Sequence, residues 1–146
     1  MQIPPIETFR QDKGGRYGPT WEAAPEGASF TLMLPDGEPV WEDGEWEDRP
    51  DEASYRMALV VAPEAHALQQ EALAFLERIV NFDALRMEGE PFVIGIHCSA
   101  TTKKVIVELE WTEEFYCTFS VTFSWRMNHA QLPDNRTAVG MAFWGR

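Results

Sequence analysis

Hydrophobic and polar positions alternate most regularly in the last third of the chain. Between residues 115 and 126 the apolar set is Phe115, Cys117, Phe119, Val121, Phe123 and Trp125, and the set between them is Tyr116, Thr118, Ser120, Thr122 and Ser124. A period of two places each set on its own face of a β-strand. Similar patterns predict strands at residues 92–98, 103–111 and 136–144. Because the connections after Cys98 and Trp111 are short, these four strands are expected to form an antiparallel meander.

One main helix is predicted from about residue 63 to residue 80. Pro63 suits the first helical position, where its missing N–H is not needed, and Glu64 follows in the first turn. Apolar residues then recur at helical spacing on one face. They are Leu68, Ala72, Phe75, Leu76 and Ile79. The other face is polar, which is typical of a helix that packs against one side of a sheet.

The N-terminal half gives weaker patterns. Residues 17–23 and 28–34 are predicted to be short strands, and residues 54–61 (SYRMALVV) to be a strand that returns to the core. Residues 1–16, with paired prolines and a Gly-Gly pair, indicate an irregular N-terminal arm. The whole pattern predicts one α+β domain over residues 17–146, in which an antiparallel sheet of about five to seven strands packs against the helix.

A β-hairpin is predicted at residues 40–47 (VWEDGEWE). Asp43-Gly44 is a strong signal for a two-residue type I′ turn, because both positions require a positive φ. This turn sets a register that pairs Glu42 with Glu45 and Trp41 with Trp46. We interpret residues 36–52 as an excursion that leaves the domain after one strand and returns at residue 54.

Composition indicates an ordinary folded protein. The 146 residues are 45% hydrophobic and 25% charged, which is normal for globular chains. The N-terminus has no basic start followed by an apolar run, and no stretch approaches 18 apolar residues, so neither export nor membrane insertion is expected. Cys98 and Cys117 lie in apolar runs, which favours buried thiols in a reducing compartment. We therefore expect a cytoplasmic protein.

The negative charge is concentrated in the acidic segment, defined as residues 36–52. The chain has 12 basic and 24 acidic residues, a net charge of −12. The acidic segment holds nine carboxylates against one base, Arg49, and accounts for −8 of this total. This charge disfavours direct binding to nucleic acid or anionic membranes, because phosphates require a basic surface. It favours a basic protein partner.

The sequence patterns offer little support for a metal site, a cofactor site or a catalytic nucleophile. His97, Cys98, Cys117 and His129 are residue types that zinc accepts, but strand phase directs His97 and Cys98 to opposite faces, and no ligand pair has the usual spacing. A catalytic thiol needs access and a basic neighbour, whereas Cys117 belongs to the aromatic face of its strand. Glu108 and Glu110 are expected on the solvated face. No cofactor, no metal and no catalytic residue are predicted.

Two alternative functions remain open. The row Thr118, Ser120, Thr122, Ser124 and Arg126, with His97, would line a small-ligand or enzyme site if a loop covered that face of the sheet. Uniform small hydroxyls are also what a solvated strand face contains. The other alternative is a structural domain that self-associates, with an exposed edge strand as the natural contact.

The leading hypothesis places function in the hairpin. Aromatic anchors are enriched in protein interfaces, and surrounding carboxylates accelerate encounter with a cationic partner. The expected binding residues are Trp41, Glu42, Asp43, Glu45, Trp46, Glu47 and Asp48. This surface is typical of an inhibitor, such as an immunity-type protein, that occludes the basic active site of a toxin or nucleic-acid-directed enzyme. The competing interpretation is a solvated loop whose tryptophans fold back onto the sheet.

Overall fold

A mixed β-sheet of seven strands forms the centre of the protein, and a long helix covers one of its faces. The computed structural model describes residues 1–130 and 133–145. The strands are β1 (Arg10–Asp12), β2 (Thr20–Ala23), β3 (Thr31–Pro35), β4 (Val40–Glu42), β5 (Glu45–Glu47), β6 (Pro91–Ser99), β7 (Lys104–Trp111), β8 (Glu114–Met127) and β9 (Pro133–Trp144). The main sheet has the order β1-β2-β3-β6-β7-β8-β9, and β4 and β5 form a separate hairpin.

The helix begins eleven residues earlier than predicted. It consists of α1 (Glu52–Val61), a 3-10 turn at Ala62–Glu64, and α2 (Ala65–Glu77), and it is followed by the short helix α3 (Phe82–Leu85). The predicted strand at residues 54–61 is therefore wrong. The carboxylate of Asp51 caps α1 by accepting hydrogen bonds from Ser54 N at 3.0 Å and Ser54 Oγ at 2.6 Å. Pro63 lies within the 3-10 turn, where it does not interrupt the helix.

The course of this helix explains the one parallel pair in the main sheet. It carries the chain from the end of β3 back to the start of β6, so these two strands run in the same direction. Parallel neighbours need such a crossover connection. The other adjacent pairs are antiparallel. The predicted α+β class and the C-terminal meander, β6 to β9, are confirmed, while the sheet is mixed and not wholly antiparallel.

The core lies between the helix and one face of the sheet, which we call the core face. The sheet contributes the inward residues of β7 and β8 that the alternation predicted, among others Val105, Val107, Leu109, Phe119, Val121 and Phe123. The helix contributes Met57, Val61, Leu68 and Leu76, all fully buried. Cys117 is only partly buried. The side chain of Phe115 lies outside the described residues.

Part of the predicted N-terminal arm is attached to the domain. Residues 10–12 form the edge strand β1, which pairs with β2. Phe9 is buried and meets the ring of Tyr55 edge-on at 5.8 Å between centroids. The hydroxyl of Tyr55 donates to the carbonyl of Pro4 at 2.9 Å. These contacts hold the N-terminal residues against α1.

The cap of α1 gives a first testable expectation. Replacing Asp51 with alanine removes the acceptor of two hydrogen bonds and should lower the free energy of unfolding by about 1–2 kcal/mol. Asp48→Ala removes the same charge from an exposed position with no hydrogen bond or ion pair to the described residues, and it should change stability by less than about 0.5 kcal/mol. Urea unfolding at pH 7 compares them. Equal losses would show that charge and not capping matters here.

Candidate functional site

The predicted hairpin is present with the predicted register. Trp41 pairs with Trp46 and Glu42 with Glu45, across a two-residue turn. Asp43 and Gly44 both have positive φ, at 51° and 83°, as a type I′ turn requires. The local sequence therefore specifies the turn and the register of this hairpin.

The two tryptophans of the hairpin are exposed to solvent. Trp41 is 57% and Trp46 is 66% exposed, and neither belongs to the core or to the residues packed against it. Their rings contact each other edge-to-face, with 5.3 Å between centroids and 73° between planes. Such a pair contributes about 0.5–1.5 kcal/mol beyond burial of surface. The tryptophans thus stabilise the hairpin and do not fold back onto the sheet.

A tight stem fixes the hairpin to the sheet. The backbone N–H of Gly37 donates to the carbonyl of Arg49 at 2.7 Å, and that of Asp51 donates to Pro35 at 3.0 Å. A Cβ at Gly37 would lie 2.9 Å from the Cα of Asp51, so only glycine allows this approach. The carboxylate of Asp36 accepts a 2.6 Å hydrogen bond from the indole N–H of Trp21 on β2. The hairpin is therefore held at its base and projects as a unit.

The carboxylates of the acidic segment fall into two groups. Asp36 and Asp51 have structural roles in the stem and the helix cap, and Glu42 forms an ion pair with Arg49 at 2.7 Å. That pair offsets the repulsion between Glu42 and Glu45, which lie opposite each other. The second group is exposed and makes no ion pair or side-chain hydrogen bond within the described ranges 1–130 and 133–145. It comprises Glu38, Asp43, Glu45, Glu47, Asp48 and Glu52.

A cleft of about 490 Å³ lies beside the stem, between the hairpin and the N-terminal residues. Its lining consists of Ile6, Glu7, Phe9, Trp21, Glu47, Asp48, Arg49, Pro50 and Glu52. The apolar lining, with four carboxylates against the one base Arg49, matches the aliphatic stem and charged end of a lysine or arginine side chain. The hairpin and the cleft together form a continuous acidic surface with exposed aromatic and aliphatic groups.

The opposite face of the sheet, which we call the polar face, is covered by the loop between β1 and β2. Arg16 forms an ion pair with Glu108 at 3.0 Å and lies 4.3 Å from the ring of Trp144. Tyr17 stacks on His97, with 4.9 Å between ring centroids. The loop that the ligand-site alternative required is thus present, but its side chains lie directly on the face.

The side chains of the predicted hydroxyl row differ in their exposure to solvent. Thr118 and Ser120 are buried, Thr122 is half-buried, and Ser124 and Arg126 are exposed. Thr118 donates a hydrogen bond to Glu110 at 3.2 Å. The row therefore does not form one continuous lining.

Glu108 is buried, so the prediction that it lies on a solvated face is wrong. Burial raises the pKa of Glu108, and the nearby Arg16 opposes that rise. Gly95 makes room for the carboxylate, since a Cβ there would lie 3.1 Å from Glu108 Oε1. Burial lowers the pKa of His97. Burial and then Glu108 raise the pKa of Tyr17, whose buried hydroxyl lies near Glu108 without a well-formed hydrogen bond to any described residue.

The raised pKa of Glu108 predicts a pH dependence of stability. A carboxyl whose folded pKa lies above its unfolded value favours the folded state at low pH, and that contribution is lost as pH rises through the folded pKa. Glu108→Gln replaces it with a neutral group of the same shape. The stability of this variant relative to wild type should therefore increase between pH 4 and pH 7, as measured by urea unfolding. A difference that stays constant over this range would contradict the assignment.

The remaining candidate ligands and nucleophiles are dispersed. Cys98 is completely buried, which raises its pKa to about 12 and suppresses the reactive thiolate. His129 is exposed on the connection after β8. Among the described residues, no group of three or more histidine, cysteine, aspartate or glutamate side chains is arranged to hold a metal ion. The described part of the chain also has no helix both long and apolar enough to cross a membrane.

The contacts of Arg16 and Tyr17 on the polar face were not predicted. Glu108 follows Arg16 by 92 positions, and nothing local in either segment specifies the other. The cleft beside the stem was also missed, because it needs the N-terminal residues and the acidic segment together.

Comparison with known proteins gives no relative from which function could be transferred. No family model, curated protein or solved structure matches the chain. The acidic hairpin and its cleft combine exposed aromatic rings with exposed carboxylates, and they are the candidate functional surface.

Proposed function

We propose that this protein is an acidic, protein-binding inhibitor of the immunity type, which occludes the basic active site or groove of a cognate toxin or nucleic-acid-directed enzyme. The hairpin enters the groove, with Trp41 and Trp46 as anchors. Around them, Asp43, Glu45, Glu47 and Asp48 meet basic side chains of the partner, and Glu42 contributes through its pair with Arg49.

The exposure of the tryptophan pair carries this proposal. Two large aromatic side chains in water are unfavourable unless another surface covers them, since burial stabilises by about 25 cal/mol per Å² of apolar surface. Trp41 and Trp46 are more than half exposed on a hairpin held rigidly at its stem. A preordered anchor loses little conformational entropy on binding. The pair therefore has the character of a binding hot spot.

The unpaired carboxylates specify the class of partner. Because Glu45, Glu47 and Asp48 have no ion-pair partner among the described residues, their charge is available to a basic protein. The same charge repels phosphates, so the target is the basic enzyme and not its nucleic acid. Two free thiols, Cys98 and Cys117, suit action in the reducing cytoplasm.

Capture from the native host tests the proposal directly. Wild-type protein and the Trp41→Ala/Trp46→Ala variant are immobilised side by side, and captured proteins are identified by mass spectrometry. We expect a basic protein on the wild type that the variant does not retain. The complex is then reconstituted from purified components and tested for loss of the partner's activity. A partner retained equally by both would exclude the hairpin as the binding surface.

Charge neutralisation should slow association with the identified partner. Glu45→Gln/Glu47→Gln/Asp48→Asn removes three charges without disturbing the stem, the cap or the pair between Glu42 and Arg49. The association rate at low salt should fall by about tenfold and become less sensitive to salt, while dissociation changes less. Surface plasmon resonance at 20 and 200 mM salt measures both rates.

A matched control removes three exposed carboxylates elsewhere, with the substitutions Glu77→Gln, Glu88→Gln and Glu90→Gln. This variant has the same net charge as the hairpin variant. Its association rate should stay within about twofold of wild type, because these carboxylates lie outside the acidic segment that is proposed to meet the partner. Equal slowing by both variants would mean that total charge, and not the hairpin, governs encounter.

A further inference from the structure

The outer strand β9 is a long, uncovered edge of the main sheet. It has 12 residues, and among the described strands its one neighbour is β8. None of these residues is buried, whereas β6, β7 and β8 each contain buried residues. The opposite edge, β1, has only three residues. An edge strand presents backbone N–H and C=O groups without partners, and it is a template for another strand.

The usual protection of an edge strand is weak here. Natural edges carry lysines, prolines, bulges or very short strands. In β9, Pro133 and two register shifts protect the first half. From Gly140 to Trp144 the pairing with β8 is regular. This half contains no lysine and no proline.

The chain around this half of β9 is free of charge. Residues 137–145 (TAVGMAFWG) contain no ionisable side chain, in a chain where a quarter of the residues are charged. The flanking base Arg136 is engaged with Glu64 and Glu71 of the helix, and Arg146 follows the stretch in sequence. Arg16 lies 4.3 Å from the ring of Trp144 and is paired with Glu108. A charge-free stretch gives a basic partner nothing to recognise. It does, however, let two copies of a protein with a charge of −12 approach without placing like charges opposite each other.

Apolar side chains extend this edge into a larger surface. Phe143 is 46% exposed and contacts Phe119 at 4.7 Å between centroids, and Phe119 contacts Phe82 of α3 at 5.5 Å. Val139 on β9 is also exposed, at 53%. A strand pair alone is a small interface, and stable dimers bury about 1,200 Å² or more. These side chains supply apolar contact beyond the backbone hydrogen bonds.

We propose that β9 is the self-association surface of the protein, and that two copies pair their β9 strands antiparallel about a two-fold axis. Isologous contacts of this kind are self-complementary, so one uncharged strand serves both sides. The two sheets join into one continuous sheet. This inference is independent of the hairpin's partner. Since β3, where the hairpin starts, is four strands from β9, the hairpin base is about 19 Å from the contact and stays accessible in the dimer.

Gly140→Lys tests this surface cleanly. A Cβ at Gly140 meets no atom within 4 Å, so the substitution adds a charge at the edge without steric conflict in the monomer. Ala74→Lys, at an exposed position of α2, adds the same charge away from the edge. Each protein is measured by size-exclusion chromatography with light scattering from 1 to 200 μM, with circular dichroism to verify folding.

We expect the wild type and Ala74→Lys to reach twice the chain mass of 16.7 kDa and Gly140→Lys to remain at one chain mass throughout. A monomeric wild type at 200 μM would overturn the proposal. A folded Gly140→Lys variant that dimerises as wild type does would also overturn it, because the contact would then lie elsewhere. If Gly140→Lys fails to fold, Val139→Lys, at a side chain that is 53% exposed, replaces it with the same expected result.

Discussion

Replacing Trp41 and Trp46 together with alanine should weaken binding to the basic partner by at least about 100-fold. Aromatic hot-spot residues cost about 2 kcal/mol or more when truncated, and each 1.4 kcal/mol is a factor of ten in the dissociation constant. The two effects will not add fully, because the rings contact each other at 5.3 Å. Isothermal titration calorimetry against the captured partner measures the loss.

Two controls separate this loss from misfolding. The urea midpoint for global unfolding of the double variant should stay close to that of wild type, because neither tryptophan is part of the core and loss of their ring contact weakens only the hairpin. Leu59→Ala, which truncates another exposed apolar side chain, 42% exposed on α1, should leave affinity unchanged. A double variant that binds within threefold of wild type would mean that the hairpin is not the anchor.

Phe119→Ala should produce the largest loss of stability, about 3–5 kcal/mol. Truncation of a buried phenylalanine removes transferred apolar surface and leaves a cavity. Phe119 is 1% exposed, and its ring lies 4.7 to 5.6 Å from those of Phe143, Phe82 and Trp111. It therefore connects α3, β7 and β9. Urea unfolding with a fluorescence readout measures the change in free energy.

Phe75→Ala is the matched control for this core substitution. Phe75 is only partly buried on α2, so the same truncation should cost less than half as much. If both variants lost equal stability, the aromatic cluster around Phe119 would have no special role. Marginally stable domains have about 5–15 kcal/mol in total, so Phe119→Ala is best studied at low temperature.

The hairpin was predictable because its structure depends on adjacent residues. Asp43-Gly44 specifies the turn, and the turn specifies the pairing of Trp41 with Trp46. The strands of the meander were predictable for a similar reason, since alternation over eight or more residues reflects a single buried face. Exposure of the tryptophans was not predictable, because it depends on what lies beside the hairpin in the folded protein.

Residues 54–61 show how one local error affected the topology. Aliphatic residues at their end suggested a strand, although Asp51 followed three residues later by Ser54 also fits a helix cap. The spacing of Ser54, Met57, Ala58 and Val61 is helical, and all four are buried. Because residues 54–61 were predicted as a strand, the helical connection from β3 to β6 was not recognised. The parallel pairing of these two strands was therefore not predicted.

The burial of Glu108 could not be predicted from the sequence, for a different reason. Its position on β7 follows the alternation correctly, opposite the core. The cover over that face comes from Arg16 and Tyr17, in a loop far away along the chain. The alternation of residues predicts on which face of the sheet a side chain lies. It does not predict which distant segments of the chain cover that face.

The stem separates the sequence of the hairpin from the folding of the domain. The chain leaves the sheet and returns to it at one place, where Gly37 and Arg49 are hydrogen-bonded, and nothing between them enters the core. Substitutions, insertions or a complete exchange of residues 38–48 should therefore change the stability of the domain little. Under the proposed function, residues 38–48 can change with the partner while the sheet and helix beneath them stay constant.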